Sequence, residues 1–587
     1  MKQFLKFFFA SLLGSVASLF MFFFLSFIIL MGMAALFDSD EVVSISSNTI
    51  LELKFDRPIP ERSQFDGGYI AGLISGDIAK NLGLNDIVAN IKKAKNDNKI
   101  VAIYLKLDNL IAGGYATLEP IRNALIDFKE SEKPIIAHGN YISQPAYYLA
   151  SVADTIYLTP SGNLDFKGLS AELVFYKKTL DKLEIEAQVI KVGKFKSAVE
   201  PFIVEEMSKE NRKQVSSFVN SINNHLLLGI STARNIEVDK TKKISDGMLV
   251  QSPTDAVNYN LVDNLNYEVE VIEILKELTG NSKHKTISLK KYNRVPSPSQ
   301  PYTSNRIAVI YAVGEINGGK GSESEIGKDN IVDAIRKARK SSSVKGIVMR
   351  VNSPGGSALI SDLIWKEVEL AKADKPFIVS YGRYAASGGY YISCGADKII
   401  SEPTTLTGSI GVFSIIPNMQ KFFDNKLGIT FDGVKTGKYS DFVTASRKLT
   451  SGEKAILQKH VNTVYKTFVN NVVDGREMTF DEVHKIGQGR VWSGLQALEI
   501  GLVDEIGDLD YAVKSVKELA EIEDYKIVEY PEIKEPLQEL LETLQEDMSA
   551  KIFSTEIENI FEHYSKALKM VKSKEVQARL PFEIEIN

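Results

Sequence analysis

The stretch Tyr381-Gly-Arg-Tyr-Ala-Ala-Ser-Gly-Gly-Tyr-Tyr-Ile-Ser393 sets one serine, Ser387, between alanines and a glycine pair. The apolar run Phe377-Ile-Val379 leads into it and reads as a short buried strand. A helix is predicted from Gly388 to about Ala396, with Ser387 at its start. A hydroxyl there lies near the positive end of the helix dipole, among backbone N–H groups that have no partner within the helix. Glycines beside it let another backbone come close. Such surroundings suit a nucleophile whose attack creates an oxyanion. A Ser/Gly N-cap on an ordinary helix has the same local composition.

A serine nucleophile needs a base. No histidine lies near Ser387 in sequence, but a neutral lysine amine can do the work, as Ser-Lys variants of the triad show. Where that lysine comes from depends on how the chain is organised.

The chain repeats itself. Asp86-Ile-Val-Ala-Asn-Ile-Lys-Lys-Ala94 returns as Asn330-Ile-Val-Asp-Ala-Ile-Arg-Lys-Ala338, and Lys133-Pro-Ile-Ile as Lys375-Pro-Phe-Ile. Ala153-Asp-Thr-Ile returns as Ala396-Asp-Lys-Ile, Val192-Gly-Lys-Phe as Thr436-Gly-Lys-Tyr, and Leu261-Val-Asp263 as Leu502-Val-Asp504. The offset stays between 241 and 244, which means a duplicated domain and not a solenoid of short repeats. Strand-like runs alternate with helical patterns in each copy. Ile87, Ile91 and Ala94 share a helical face, as do Ile331, Ile335 and Ala338, and Gly346-Ile-Val-Met-Arg-Val351 is strand-like. This predicts an α/β fold with mainly parallel sheets or stacked βαβ units. The organisation is 1–6 before an apolar run, 7–37 the run itself, 48–280 the first repeat, 281–305 a polar linker with Pro296, Pro298 and Pro301, 306–524 the second repeat, and 525–587 a C-terminal tail. In the tail, Pro531 and Pro536 lead into a charged amphipathic helical pattern over 537–572, read as a packing or oligomerisation element.

The two copies disagree at informative places. Opposite Ser387 the first copy has Gln144, with Pro145 and Ala146 in place of Gly388 and Gly389. Opposite Lys196 the second copy has Ser440. Loss in complementary halves is expected if one site draws its base from the first copy and its nucleophile from the second; drift at two surface positions would look the same. Free lysine titrates at ~10.4, so for Lys196 to be largely neutral near pH ~8, burial must cost its charged form about 3–4 kcal/mol. Ala198, Val199 and Phe202 could supply the apolar wall, while a direct pair with Glu200 would disable the base. Lys194 is the alternative, but it recurs as Lys438, which suits a structural role.

Oxyanion donors have a separate source in Asn352-Ser-Pro-Gly-Gly356, a sharp turn from strand into helix that offers the N–H of Gly355 or Gly356. Neither 321–328 nor 433–438 has the spacing of a phosphate-binding loop, so ATP is not implied.

Residues 7–37 hold no charge and are long enough to cross a bilayer; Lys2 and Lys6 precede them and Asp38, Asp40 and Glu41 follow. The positive-inside bias puts the N-terminus in the cytoplasm and the repeats outside. The run is about twice the apolar core of a signal peptide, so an uncleaved anchor is expected. The net charge of −5 on 587 residues gives no field that points to nucleic acid. Cys394 is the single cysteine, which rules out intrachain disulfides and thiolate clusters; it reads as a core residue. The six histidines are scattered, so no metal site or cofactor is indicated.

Anchor, tandem repeat, Asn-Ser-Pro-Gly-Gly, Ala-Ala-Ser-Gly-Gly-Tyr and Lys-Ser-Ala-Val-Glu-Pro-Phe together resemble the signal peptide peptidase A (protease IV) family in its long, duplicated bacterial form. The resemblance runs from the anchor to about residue 520. It implies that Ser387 is the nucleophile and Lys196 the general base. It also implies oxyanion N–H groups at Gly356 and Gly388, and a lysine-orienting hydroxyl at Ser409, in Thr407-Gly-Ser-Ile-Gly411. Two tandem ClpP/crotonase-like domains are implied, assembled as a homo-oligomer, a tetramer for the long form. The family's location implies a single-pass protein of the bacterial cytoplasmic (inner) membrane with its catalytic domains in the periplasm. The implied substrates are signal peptides and other apolar peptides, met at the bilayer. Three other readings remain open here: a crotonase-like acyl-CoA enzyme, a non-catalytic anchored scaffold, and a Ser-His-Asp protease using His138.

Overall fold

The computed structural model describes residues 2–37, 43–65, 80–111, 113–280, 285–297, 302–533 and 577–580. The tail helix expected at 537–572, and Asp38, Asp40 and Glu41, lie outside the described residues.

The apolar run forms a helix, Lys2–Phe37. Its Lys6–Ile28 stretch is long and apolar enough to cross a membrane, and none of that stretch is buried against the rest of the chain. A helix apolar on every side and packed on nothing is suited to lipid.

Each repeat then builds a parallel sheet. In the first, the strand order is Asn264–Leu265, Thr155–Leu164, Ile135–Ile142, Ile100–Lys106, Thr49–Lys54 and Thr286–Ser288. In the second, Glu505–Ile506, Lys398–Ser401, Phe377–Ala386, Val344–Ser353, Arg306–Val313 and Lys526–Tyr530 follow in the same order. The edge strands Thr286–Ser288 and Lys526–Tyr530 carry each sheet beyond the boundaries read at 280 and 524. The paired helices Leu84–Asn96 and Lys328–Lys340 bury the predicted faces, Ile87, Ile91 and Ala94 in one and Ile331, Ile335 and Ala338 in the other.

The second sheet branches. The far end of Phe377–Ala386 leaves Lys398–Ser401 and pairs with Leu406–Gly408, which in turn pairs with Val491–Ser493. The strand is ten residues long, well beyond the apolar triplet that marked it, because both of its ends find partners.

A third sheet joins the repeats. Its order is Glu325–Ile326, Glu315–Ile316, Gly355–Ser357, Gln577–Arg579, Phe413–Asn418 and Glu186–Lys191, so the last strand comes from the first repeat and one strand comes from the tail. Two further contacts lock the halves. Gln214 accepts from the Val491 N–H (3.1 Å), and Arg350, 1% exposed, holds the Glu61 carboxylate at 2.9 Å.

Candidate active site

Ser387 stands where the strand Phe377–Ala386 gives way to a single helical turn, Gly388–Tyr391. The helix expected to reach residue 396 stops early, because the chain must turn back to enter Lys398–Ser401 while its Cys394 carbonyl abuts Gly475. One turn carries little dipole, so the local N–H groups matter more than the helix as a whole. Ser387 adopts φ 57° and ψ −110°, a costly conformation for a residue with a Cβ. Its N–H donates to the Gly408 carbonyl (2.8 Å), which fixes that geometry. Its hydroxyl makes no N-cap bond, so the ordinary capping role is absent.

Lys196 arrives from the other repeat. The strand Glu186–Lys191 pairs antiparallel with Phe413–Asn418, carrying the first repeat's chain into the second. The chain then turns at Gly193 and is pinned by Phe195 N–H to Gln488 C=O (3.0 Å). Gly489 completes the fit: at φ +82°, a Cβ there would fall 2.6 Å from Lys196 Cα. Sequence reasoning missed this glycine, whose need arises only once the two repeats meet.

The Lys196 Nζ lies 2.8 Å from Ser387 Oγ, 2.9 Å from Ser409 Oγ and 3.2 Å from the Ser409 carbonyl. Lys196, Ser387 and Ser409 are all fully buried. Ala198, Val199 and Phe202 form one apolar cluster with Phe413 and Ile415, and Nζ stands 5.9 Å from the centre of the Phe413 ring. Burial pushes the amine well below the ordinary lysine range, and no charged neighbour offsets it. Glu200 is engaged elsewhere: it accepts from Ser208 Oγ (2.6 Å), Ser208 N–H (3.2 Å) and Asn211 Nδ2 (2.9 Å). Lys194 is exposed, as is Ser440 in the second repeat.

The glycine turn presents its donors differently from expectation. Gly355 and Gly356 sit in a short strand, Gly355–Ser357, ahead of the helix Ala358–Lys372, and not at the helix terminus itself. The Gly355 N–H donates to Ser353 Oγ (3.2 Å), which leaves the choice to Gly356. A Cβ built on Gly355 would fall 2.7 Å from Gly388 N, so the glycine turn and Gly388 are in close contact beside Ser387.

Together these groups supply a hydroxyl, an adjacent amine of lowered basicity and two backbone segments able to donate N–H bonds. That set can perform acyl transfer. His138 belongs to different surroundings: its Nε2 lies 3.3 Å from the Asn266 carbonyl and 3.3 Å from Thr159 Oγ1, both in the first repeat. Cys394 is a buried core residue whose thiol is pushed up by burial. Among the described residues, no group of acidic, histidine and cysteine side chains could hold a metal ion.

The model of peptidase family S49 matches this chain twice, over residues 127–282 and 369–523. The chain belongs to peptidase family S49. Lys196 falls in the first S49 match, and Ser387 and Ser409 in the second. The chain is 37% identical to "Protease 4" of Salmonella typhi over 79% of this chain and 76% of that one. It is 32% identical to "Serine protease SPPA, chloroplastic" of Arabidopsis thaliana over 80% of this chain and 70% of that one. A ClpP1 mutant from Listeria monocytogenes aligns with 35% of this chain and 94% of its own, at 16% identity and a TM-score of 0.24. This S49 member is a serine protease with two tandem α/β repeats behind an apolar N-terminal helix.

Proposed function

We propose that this peptidase is a membrane-anchored endopeptidase with a Ser/Lys dyad, and that it degrades cleaved signal peptides at the bacterial inner membrane. In this reading Ser387 Oγ attacks the scissile carbonyl while Lys196 Nζ takes its proton. Ser409 orients the amine, and the N–H groups of Gly356 and Gly388 hold the oxyanion. Lys196 then gives its proton to the leaving amine, and water hydrolyses the acyl-enzyme by the same route in reverse.

The observation that carries the reading is the 2.8 Å contact between Lys196 Nζ and Ser387 Oγ, in surroundings whose burial pushes the amine well below the ordinary lysine range. Hydrogen-bond reach for a general base is ~2.6–3.2 Å. The apolar N-terminal helix, led by Lys2 and Lys6, supports an anchor with both repeats on the periplasmic side. An outward-facing site at the membrane meets apolar peptides as they leave it.

Assembly as a homo-oligomer, a tetramer, belongs to the same proposal. Residues 427–439 align with 183–195, the segment through which the first repeat reaches the second. Leu427, Ile429, Phe431 and Val434 of this second copy are exposed, which suits a strand awaiting the first repeat of another subunit.

Ser387→Ala and Lys196→Ala are each expected to abolish hydrolysis of an apolar fluorogenic peptide while circular dichroism stays that of the folded protein. Full activity in either variant rejects the dyad.

A further inference from the structure

One residue holds both segments that meet at the Lys196 amine. Arg490 follows Gly489, the glycine that makes room for Lys196. The Arg490 carbonyl accepts from the Ser409 N–H (2.7 Å), and beside it the Gly489 N–H donates to the Ile410 carbonyl (2.7 Å). The guanidinium turns toward the first repeat. Its Cζ lies 5.3 Å from the centre of the Phe195 ring and 3.7 Å from the centre of the Trp492 ring. Phe195 immediately precedes Lys196 in the chain. The Arg490 main chain thus grips the Ser409 segment, while its side chain grips the Lys196 segment through a cation–π contact.

Packing alone does not ask for arginine here. The Arg490 Nε is buried without a hydrogen-bond partner. Burial pushes the group below the ordinary arginine range, and among the described residues no carboxylate offsets this. An unmet buried donor costs stability, so an apolar side chain would serve the fold better. The first copy has one. Aligned on Leu261-Val-Asp263 and Leu502-Val-Asp504, Met248 stands opposite Gly489, Leu249 opposite Arg490 and Gln251 opposite Trp492. Met248 has a positive φ of 46°, as Gly489 has at 82°, so the backbone takes the same course in both copies. The space, the cation and the ring occur together only in the copy that receives Lys196. The other charged groups around this seat are Lys194, whose Nζ lies 5.4 Å from the centre of the Phe195 ring, and Lys191, whose Nζ meets the Lys196 carbonyl at 3.4 Å. Glu200 is held by Ser208 and Asn211, and burial alone lowers Lys196.

We propose that Arg490 is a positioning residue for the reaction: bridging Phe195 and Trp492, it clamps the Lys196 segment to the Ser409 segment and keeps the amine within reach of Ser387 Oγ and away from water. This rests on the dyad reading above. The planar guanidinium suits the stack, whereas a lysine there keeps the charge without the plane.

The test compares wild type with Arg490→Met, Arg490→Lys and Phe195→Leu, by the pH dependence of apolar fluorogenic peptide hydrolysis and by thermal unfolding. Arg490→Met is expected to lower kcat about tenfold with KM within about twofold. Its rising limb of kcat/KM moves to higher pH, because a freed segment lets water reach the amine and restores its ordinary basicity. Phe195→Leu removes the other half of the contact and shifts the limb the same way, while Arg490→Lys recovers part of kcat. The thermal midpoint of Arg490→Met is expected to be no lower than that of wild type. Unchanged kcat, or a lower kcat with the limb unmoved, overturns the clamp and leaves the dyad standing. An Arg490→Met protein that fails to fold also overturns it, since the guanidinium would then serve the fold. Full activity in Lys196→Ala removes the dyad and this proposal together.

Discussion

Lys196 Nζ and Ser387 Oγ meet at 2.8 Å although 191 residues separate them in the chain. The proposed base and nucleophile thus come together within one subunit, each carried by a different repeat. The contact works only while the amine is neutral, which makes pH the first test. Burial holds Lys196 well below the ordinary lysine value. Below its folded-state pKa the amine is protonated and cannot accept the serine proton. We expect kcat/KM to rise with pH with a slope near ~1 in log units and to level off below the ~10.4 of free lysine. Peptide hydrolysis across the pH range measures this; a rise that continues to ~10.4 would show an unperturbed lysine.

The same burial sets a stability trend. In the unfolded chain Lys196 is protonated up to ~10.4, whereas in the folded protein it loses its proton at a much lower pH. Between those values the unfolded state binds more protons, so wild-type stability rises with pH across that window. Lys196→Met keeps an unbranched chain without the amine and removes this dependence. The variant is expected to be the more stable protein at neutral pH, with its advantage shrinking toward pH ~10.4. Urea denaturation at several pH values measures the difference, and a gap that widens with pH contradicts the depressed pKa.

In the proposed mechanism Ser409 contributes less, and through position. Its hydroxyl and carbonyl hold Nζ at 2.9 and 3.2 Å, so Ser409→Ala leaves the carbonyl contact in place. Losing one hydrogen bond of about 1–1.5 kcal/mol corresponds to roughly a tenfold fall in kcat. KM should stay within about twofold, and Ser409→Thr should recover part of the rate. A loss as large as that of Lys196→Ala would give Ser409 a direct part in the chemistry.

Much of this site was legible because the duplication made the chain its own comparison. Gln144 opposite Ser387 and Ser440 opposite Lys196 singled out the two side chains that the structure brings into contact. Parallel sheets and core helices followed from apolar periodicity, which records burial directly. Other features depend on contacts between distant segments. Nothing local in Gln-Gly-Arg490 says that Gly489 must make room for Lys196, and the pairing of Gly356 with Ala578 has no sequence period. The helix after Ser387 was overread because glycine and tyrosine spacing does not reveal that the chain must return to the sheet.

Glu61 supports the site from beneath. Its carboxylate takes the Arg350 guanidinium at 2.9 Å and the Asn352 side-chain amide N–H at 2.8 Å, and Asn352 Oδ1 accepts from the Tyr384 N–H at 3.2 Å. Asn352 begins the turn to Gly356, so Glu61 ties the first repeat to the glycine turn proposed to hold the oxyanion. Glu402, 3.9 Å from Arg350, is a poor substitute, since burial pushes its carboxyl well above the usual range. Glu61→Ala therefore leaves a buried guanidinium without its main anion, at a cost of about 3–5 kcal/mol. We expect a lower thermal midpoint together with reduced kcat. Adding Arg350→Met removes the unpaired charge and should recover stability without restoring kcat, because Asn352 still lacks its acceptor. Thermal unfolding and peptide kinetics on the two single variants and the double variant form a complete cycle. Additive stability losses would show that the pair does not join the repeats, and an unchanged kcat in Glu61→Ala would detach Glu61 from the oxyanion turn.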